Sequence, residues 1–297
     1  ILSLVCAALI SVSIHAQTIY SLNSSNINWK ICRVDQAVNS IANLSKTDFN
    51  VDNWIDATVP GTFFVDHVNA GLESNPDFGD NIYRIDEAKY NKPFWYRAEF
   101  EVPEGFTNEK LFLHFKGVNK EGIFYLNGRN LGVVKGFMLR SKFDITDKVQ
   151  AGKNIILVKV SLPDVRKTRE SAGMFDIWSN FAMPTFMSSA SWDWMPYVPG
   201  LNCGIINDVY LETTGFVALE DSWVRTALSR KNKADLSIQT TLKNNGSEQV
   251  TGVLKATIMP GNIQISKNIT LDANSSTDII LDKNEFSQLS IDNPSLW

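Results

Sequence analysis

Cysteine and histidine are both scarce in this chain, with three residues of each among 297. Cys6 lies in an apolar leader, so only Cys32 and Cys203 remain, far apart in the sequence. An exported protein can form one disulfide from such a pair, but two distant cysteines are more often separate, buried, small apolar side chains, and the sequence leaves their pairing open. The histidines are scattered: His15, His67 and His114. Because no metal-ligand spacing is present, we expect neither a metal site nor a cofactor.

Basic clusters are also missing. The chain carries 28 Lys and Arg against 32 Asp and Glu, a net charge of -4, and no block rich in lysine or arginine. Proteins that bind nucleic acids or anionic membranes present concentrated positive charge. We therefore expect neither of these as a partner, and a neutral ligand instead.

Long apolar runs are confined to the first residues, "ILSLVCAALISVSIHAQ". An apolar stretch that ends at a small residue such as Ala16 is typical of a secretory signal and its cleavage site. The sequence thus predicts a signal peptide at residues 1–16, a mature start near Gln17, and export to the periplasm or the extracellular space. The alternative is a buried helix. The run is too short to span a bilayer comfortably, and the polar "SLNSSNINWK" after it lacks a stop-transfer pattern.

Helical periodicity is rare, and a two-residue period dominates from about residue 94. Stretches such as "FWYRAEFEV", "LFLHFKGV", "GIFYLNG" and "NIILVKVSL" predict β-strands separated by turns. Asn127 and Gly128 predict a type I′ hairpin turn, and we expect no other role for them. "TFFVDHVNAG" predicts a short helix that ends at Gly71.

A long irregular stretch between Leu162 and Ser191 interrupts the strands, and its aromatic residues favour a functional loop. From about Phe216 the pattern predicts shorter strands at regular spacing, as in "ADLSIQTTLKN" and "IQISKNITL", which is typical of an immunoglobulin-like sandwich. The sequence therefore predicts an all-β chain of two sandwiches that meet near residue 216.

Several motifs together resemble the N-terminal part of glycoside hydrolase family 2, in particular its β-mannosidase and exo-β-glucosaminidase branch. The resemblance covers nearly the whole mature chain. In order, the motifs are "ATVPGTFFVDHVNAGL" (57–72), "NPDFGDN" (75–81), "FWYRAEFEVP" (94–103), "FKGVNKEGIFYLNGRNLG" (115–132), "FDIT" (143–146), "GKNIILVKV" (152–160), "WDWMP" (192–196) and "GIINDVYLETTG" (204–215).

This resemblance implies a galactose-binding-like jelly-roll domain at 17–215, an immunoglobulin-like domain at 216–297, and a (β/α)8 barrel with the two catalytic glutamates of a retaining β-glycosidase. The 281 residues that follow the signal (297 − 16) are filled by the two sandwiches, and a barrel needs about 250 more. We therefore expect Trp297 to be a truncation, no catalytic residue in this chain, and a barrel of the same polypeptide as its partner. The implied substrates are β-mannosides, β-glucosaminides or β-galactosides.

The candidate substrate-binding residues are Trp192, Asp193 and Trp194 in "WDW", together with Asn81 in "FGDN". Ligand sites are typically lined by aromatic side chains with a few polar groups at defined positions. We therefore interpret the tryptophans as stacking on a sugar ring and Asp193 as accepting hydrogen bonds from the sugar hydroxyls. In the structural alternative, the tryptophans of "WDW" pack at the edge of the sandwich and Asp193 caps a turn. Asn81 would then be an amide that stabilises its own turn. A stand-alone carbohydrate-binding module and a structural adhesive sandwich pair remain as alternative functions.

Overall fold

The protein is described from a computed structural model that covers residues 18–106, 110–137, 139–161, 199–230, 232–259 and 261–294. The chain divides into two compact units, Thr18–Thr213 and the part from Thr214 onward. Antiparallel sheets dominate both units, so the predicted all-β class is confirmed. No helix in the described ranges is long and apolar enough to cross a membrane.

The first unit is a sandwich of two antiparallel sheets. Its strands are β1 (Thr18–Ser21), β2 (Trp29–Arg33), β3 (Ile55–Ala57), β4 (Phe94–Glu101), β5 (Lys110–Phe115), β6 (Glu121–Leu126), β7 (Arg129–Lys135), β8 (Ser141–Asp144), β9 (Lys153–Ser161) and β10 (Val209–Thr214). One sheet has the order β3-β2-β4-β9-β6-β7 and the other β1-β10-β5-β8. Alternation sets the inner face: in β6, Gly122, Phe124 and Leu126 are buried while their neighbours are partly exposed.

Large aromatic side chains fill the space between the two sheets. The largest fully buried members include Trp29, Tyr90, Tyr96, Phe63, Phe94, Phe115 and Phe124. A second, smaller core covers the outer face of the six-stranded sheet, where Trp54 and Trp95 pack with a short helix, α1 (Ile41–Leu44). Central strands β4 and β9 are therefore buried on both faces, which explains their nearly continuous apolar sequences.

The predicted hairpin and helix are both confirmed. Asn127 and Gly128 have φ angles of 49° and 79° between β6 and β7. Helix α2 (Phe63–Asn69) is capped by Thr62, and Gly71 follows its end with a φ of 70°. The expectation that Asn127 serves only the turn was wrong, because its Oδ1 accepts from the Ile155 N–H and its Nδ2 donates to the Lys148 carbonyl.

The second unit also consists of antiparallel strands. They are β11 (Val217–Arg230), β12 (Lys233–Asn244), β13 (Val250–Ile258), β14 (Ile263–Leu271), β15 (Ser276–Asp282) and β16 (Ser290–Asp292). β12 pairs with β11, β15 and β16, while β13 and β14 form a separate hairpin. The expectation of shorter strands was wrong for β11 and β12, which have 14 and 12 residues. An irregularity between Glu220 and Trp223 lets β11 continue its pairing along β12.

Candidate functional site

Of the four predicted site residues, the structure describes only Asn81. Trp192, Asp193 and Trp194 lie outside the described residues. Asn81 begins a short 3₁₀ turn, and its Nδ2 donates to the Asn75 carbonyl at 2.9 Å. The side chain therefore closes its own loop, as the turn interpretation expects, and its contact with a sugar stays a prediction.

The loop around Asn81 exposes two aromatic rings. Phe78 is 75% exposed and Tyr83 is 88% exposed, although apolar rings gain most when they are buried. Asp80 and Arg84 form an ion pair of 2.9 Å beside them. Exposed rings that flank an amide can stack on the apolar face of a sugar or pack against another protein surface. Neither ring was predicted from the sequence as a site residue. Two aromatic residues in a loop rich in glycine, asparagine and proline nevertheless indicate exposed rings that could contact a ligand.

This loop is anchored at its start by Tyr90. The Tyr90 hydroxyl donates to Glu73 Oε1 at 2.9 Å, and Lys89 Nζ contacts the same oxygen at 2.9 Å. Burial raises the pKa of Tyr90, and the Glu73 hydrogen bond raises it further, so the hydroxyl stays protonated and donates. The Tyr90 ring lies parallel to Phe63, with centroids 6.4 Å apart. An aromatic frame thus fixes where the exposed loop begins.

Helix α2 forms one wall of this frame. Its first residue, Phe63, stacks on Phe94 with centroids 4.3 Å apart. His67, one turn later, lies edge-on to Tyr90 and Phe94 at 5.1 and 5.6 Å. Burial lowers the pKa of His67, so the ring is neutral near pH 7 and its Nδ1–H donates to the Phe63 carbonyl at 2.6 Å. The imidazole therefore serves packing in this frame.

The chain re-enters the described region at Pro199–Asn202, directly against the same frame. Gly200 has a φ of 72°, and a Cβ at this position would lie 2.6 Å from the Phe63 ring. The Phe63 N–H donates to the Cys203 carbonyl at 3.1 Å. This segment follows "WDW" in the sequence, after residues 195–198.

Asn119 holds the same segment from the other side. Its buried Nδ2 donates to the carbonyls of Leu201 and Asn202 at 2.9 and 3.0 Å. Its backbone N–H and carbonyl pair with Gly204 at 2.9 Å each. These bonds satisfy the polar groups of a buried, irregular segment, which otherwise would carry a large desolvation cost.

A buried carboxyl and a buried phenol lie behind the anchor. Asp66 on α2 is 0% exposed, and its Oδ1 accepts from the Thr58 N–H at 2.8 Å. Asp66 Oδ2 and Tyr96 Oη have no hydrogen-bond partner among the described residues. Burial raises the pKa of Asp66 to about 7, against the lowering effect of the Thr58 bond. Burial, and next the Asp66 charge, raise the pKa of Tyr96, so this phenol is neutral.

Neither a metal cluster nor a disulfide is found among the described residues. Within the described ranges, no three His, Cys, Asp or Glu side chains are grouped so that they could hold a metal ion. Cys32 and Cys203 are free thiols, half-buried and buried respectively.

Comparison with protein families matches both units. Residues 29–207 match the glycosyl hydrolase 2 galactose-binding domain-like model, and residues 217–297 match the glycosyl hydrolases family 2 model. The chain belongs to glycosyl hydrolase family 2. The resemblance found in the motifs is thereby confirmed, as is the predicted order of a galactose-binding-like sandwich followed by an immunoglobulin-like one.

Curated relatives of this family 2 chain are glycosidases of much greater length. The chain is 24% identical to the exo-β-D-glucosaminidase of Amycolatopsis orientalis over 93% of its own length and 24% of that protein. It is 31% identical to the mannosylglycoprotein endo-β-mannosidase of Lilium longiflorum, over 57% of this chain and 18% of that one. The chain thus spans about a quarter or less of the length of these two relatives.

Solved structures share the fold. The Amycolatopsis orientalis exo-chitosanase superimposes with a TM-score of 0.75 at 22% identity, over 94% of this chain and 30% of that one. The β-D-mannosidase from Dictyoglomus thermophilum gives a TM-score of 0.71 at 21% identity, over 94% and 32% of the two chains.

Proposed function

We propose that this chain forms the non-catalytic N-terminal domains of a secreted retaining β-glycosidase that acts on β-glucosaminides, β-mannosides or β-galactosides. Family membership and the names of the relatives support a β-glycosidase. The apolar leader at residues 1–16 supports export. The two catalytic glutamates would lie about 5 to 5.5 Å apart in a barrel of the same polypeptide.

One observation supports the substrate-binding role: the same aromatic residues contact the start of the Asn81 loop and the segment Pro199–Asn202. Tyr90 fixes the start of the Asn81 loop through Glu73, and the ring of Phe63, which lies parallel to Tyr90, is 2.6 Å from the position that a Cβ on Gly200 would occupy. Asp193 precedes Pro199 by six residues, and a chain extends at most about 3.6 Å per residue, so Asp193 can reach no further than about 22 Å from that anchor. This reach is compatible with the proposal that Asp193 and the Asn81 loop bind one ligand.

The proposed chemistry is recognition of hydroxyl groups remote from the bond that breaks. An ionised Asp193 would accept hydrogen bonds from them, each contributing about 1.5–3 kcal/mol. Trp192 and Trp194 would stack on the sugar ring, and Pro196 would restrict the loop before binding. Binding energy of this kind orients the sugar for attack and is expressed in kcat/KM.

The test compares the full-length protein with residues 17–297 alone on aryl β-glucosaminide, β-mannoside and β-galactoside. We expect turnover of at least one substrate by the full-length protein and none above the blank by residues 17–297. Hydrolysis by residues 17–297 would contradict the absence of catalytic residues. A full-length protein that only binds on a glycan array would favour the carbohydrate-binding module, and one that neither hydrolyses nor binds would favour the adhesive pair.

A further inference from the structure

The segment between β2 and β3 leaves an open cleft in the outer cover of the six-stranded sheet. Its volume is about 430 Å³, within the range of about 300–1,000 Å³ typical of small-molecule pockets. Four carboxamides contribute to its lining: Gln36, Asn39, Asn50 and Asn53. All four side chains are exposed. The Asn50 amide is already engaged, since its Nδ2 donates to Asp52 Oδ2 at 3.0 Å and its Oδ1 accepts from the Asp52 N–H at 2.7 Å. The cleft therefore presents mainly the amides of Gln36, Asn39 and Asn53, which both donate and accept hydrogen bonds.

Aromatic rings and a thiol complete the lining. Phe49 and Trp54 meet edge to face, with centroids 6.1 Å apart and planes at 76°. Cys32, on β2, is half-buried and also lines the cleft. An aromatic wall with convergent polar groups is the usual composition of a ligand site.

Buried interactions fix the walls before any ligand arrives. The Arg97 guanidinium, on β4, donates from Nε to the Leu44 carbonyl at 3.0 Å and from Nη2 to the Lys46 carbonyl at 2.8 Å. Ser40 caps α1 by accepting from the Asn43 N–H at 3.2 Å. The covering segment is thus tied to the sheet, and a preformed site loses less conformational entropy on binding.

None of the lining residues is charged, although the Asp52 carboxylate accepts from Asn50 Nδ2 beside them at 3.0 Å. Burial raises the pKa of the Cys32 thiol, followed by a smaller effect of Asp35, so the thiol is uncharged at pH 7. The nearby Arg33 and Asp35 neutralise one another in an ion pair of 2.8 Å. The lining thus offers an ionic ligand no counter-charge that is not already engaged, whereas hydroxyl groups can replace the water that solvates the exposed amides.

We propose that this cleft binds a neutral saccharide. Hydroxyl groups match the mixed donor and acceptor character of Gln36 and Asn53, while the C–H face of a sugar ring matches Phe49. The assignment concerns a binding site with no chemical step.

Cys32 provides a direct readout of occupancy. The full chain is treated with iodoacetamide, with N,N′-diacetylchitobiose or mannobiose as neutral probe, and alkylation is followed peptide by peptide. If the Cys32 thiol reacts only when the cleft is empty, its alkylation rate should fall about tenfold at a probe concentration ten times Kd. The buried Cys203 serves as an internal monitor of unfolding, and its slow alkylation should not change.

Variants separate specific protection from general effects. Gln36→Ala with Asn53→Ala should abolish the protection, whereas Gln264→Ala, an exposed amide on β14, should retain it. Glucuronate and glucosamine, which carry opposite charges, should protect weakly or not at all. The proposal is overturned if neither neutral probe protects Cys32, if protection survives in the double variant, or if the charged sugars protect equally well.

Discussion

The two units of this chain bury different kinds of side chain. The core of the first is built around large aromatic residues and includes fully buried Asp66, Asn119 and Asn154. The core of the second consists of aliphatic residues, Leu242, Leu254, Ile265, Leu271, Leu281 and Leu289. Its hairpins satisfy the backbone mainly by strand pairing. Both units hold irregular segments with buried polar side chains, Asn119 in the first and Asn244 in the second, but only the first combines them with an aromatic core.

This difference indicates where function resides. Regular hairpins specify a stable scaffold, whereas loops held on a rigid scaffold carry most binding residues. In the first unit the anchors are side chains such as Tyr90 and Asn119, which fix loops near both candidate regions. Changes to these anchors should therefore lower the activity of the full-length protein, whereas matched changes in the second unit should affect only its stability.

The largest expected effect concerns Asp66 and pH. Its pKa of about 7 in the folded protein exceeds the ordinary value of 3.8, so the folded state keeps a proton that the unfolded state loses in this interval. Stability from this group is therefore lost as pH rises from about 4 to 7, by up to about 4 kcal/mol. Asp66→Asn keeps the acceptor for Thr58 and cannot titrate.

We expect Asp66→Asn to match the wild type near pH 4 and to exceed its stability at pH 8, as measured by denaturant unfolding across this range. Asp77→Asn, an exposed change in the same unit, should follow the wild type throughout. Parallel stability curves for the wild type and Asp66→Asn would contradict the assignment of a buried, protonated carboxyl.

The next effect concerns two glycines. A Cβ at Gly204 would lie 2.3 Å from the Gly61 carbonyl oxygen and 2.7 Å from Thr62 Cα, backbone atoms that cannot rotate away. Gly204→Ala should therefore destabilise the first unit by about 3 kcal/mol. Gly252, in β13, has nothing within 4 Å of such a Cβ, and Gly252→Ala should stay within about 0.5 kcal/mol of the wild type. Thermal melting of both variants tests this difference. Equal shifts of the melting temperature would show that the position of Gly204 is no more restricted than that of Gly252.

A smaller effect is expected from two buried asparagines. Asn119→Ala removes the bonds to Leu201 and Asn202 and should cost about 2 kcal/mol. Asn244→Ala in the second unit removes bonds to Glu248 and Asp272 and should cost a similar amount. Under conditions where both variants are folded, only Asn119→Ala should also lower kcat/KM of the full-length protein. An equal loss of kcat/KM in both would show that stability alone is responsible.

Much of the fold could be predicted because its signals are local. Alternation identified β4 to β7 and β9, and the Asn127-Gly128 turn joins adjacent strands. β1, β2 and β3 were missed because they have only three to five residues. β1 also pairs across the length of the unit, with Thr18 opposite Thr213. Strands of three to five residues are too short to show a two-residue period. No local turn signal indicates that β1 pairs with a strand so far away in the sequence.

The candidate site was predictable only in part, because its anchors are contacts between distant residues. The Phe63 contact with Gly200 joins two segments with no pattern in common. Asp66 resembles an ordinary polar position of a surface helix, and only the fold shows that it is buried. The aromatic and polar residues of "WDW" and "FGDN" indicated a ligand site. They could not reveal that Phe63 and Tyr90 pack together beneath the segments that flank these motifs.

A contact between Asp193 and the sugar is proposed above, and substitution of Asp193 tests it most directly. In the full-length protein, Asp193→Ala should lower kcat/KM by about tenfold or more, equivalent to about 1.4 kcal/mol, with an unchanged melting temperature. Asp278→Ala, an exposed change on β15, should leave kcat/KM unaltered. A loss of less than about threefold for Asp193→Ala, or about 0.7 kcal/mol, would make Asp193 a turn cap and contradict the account.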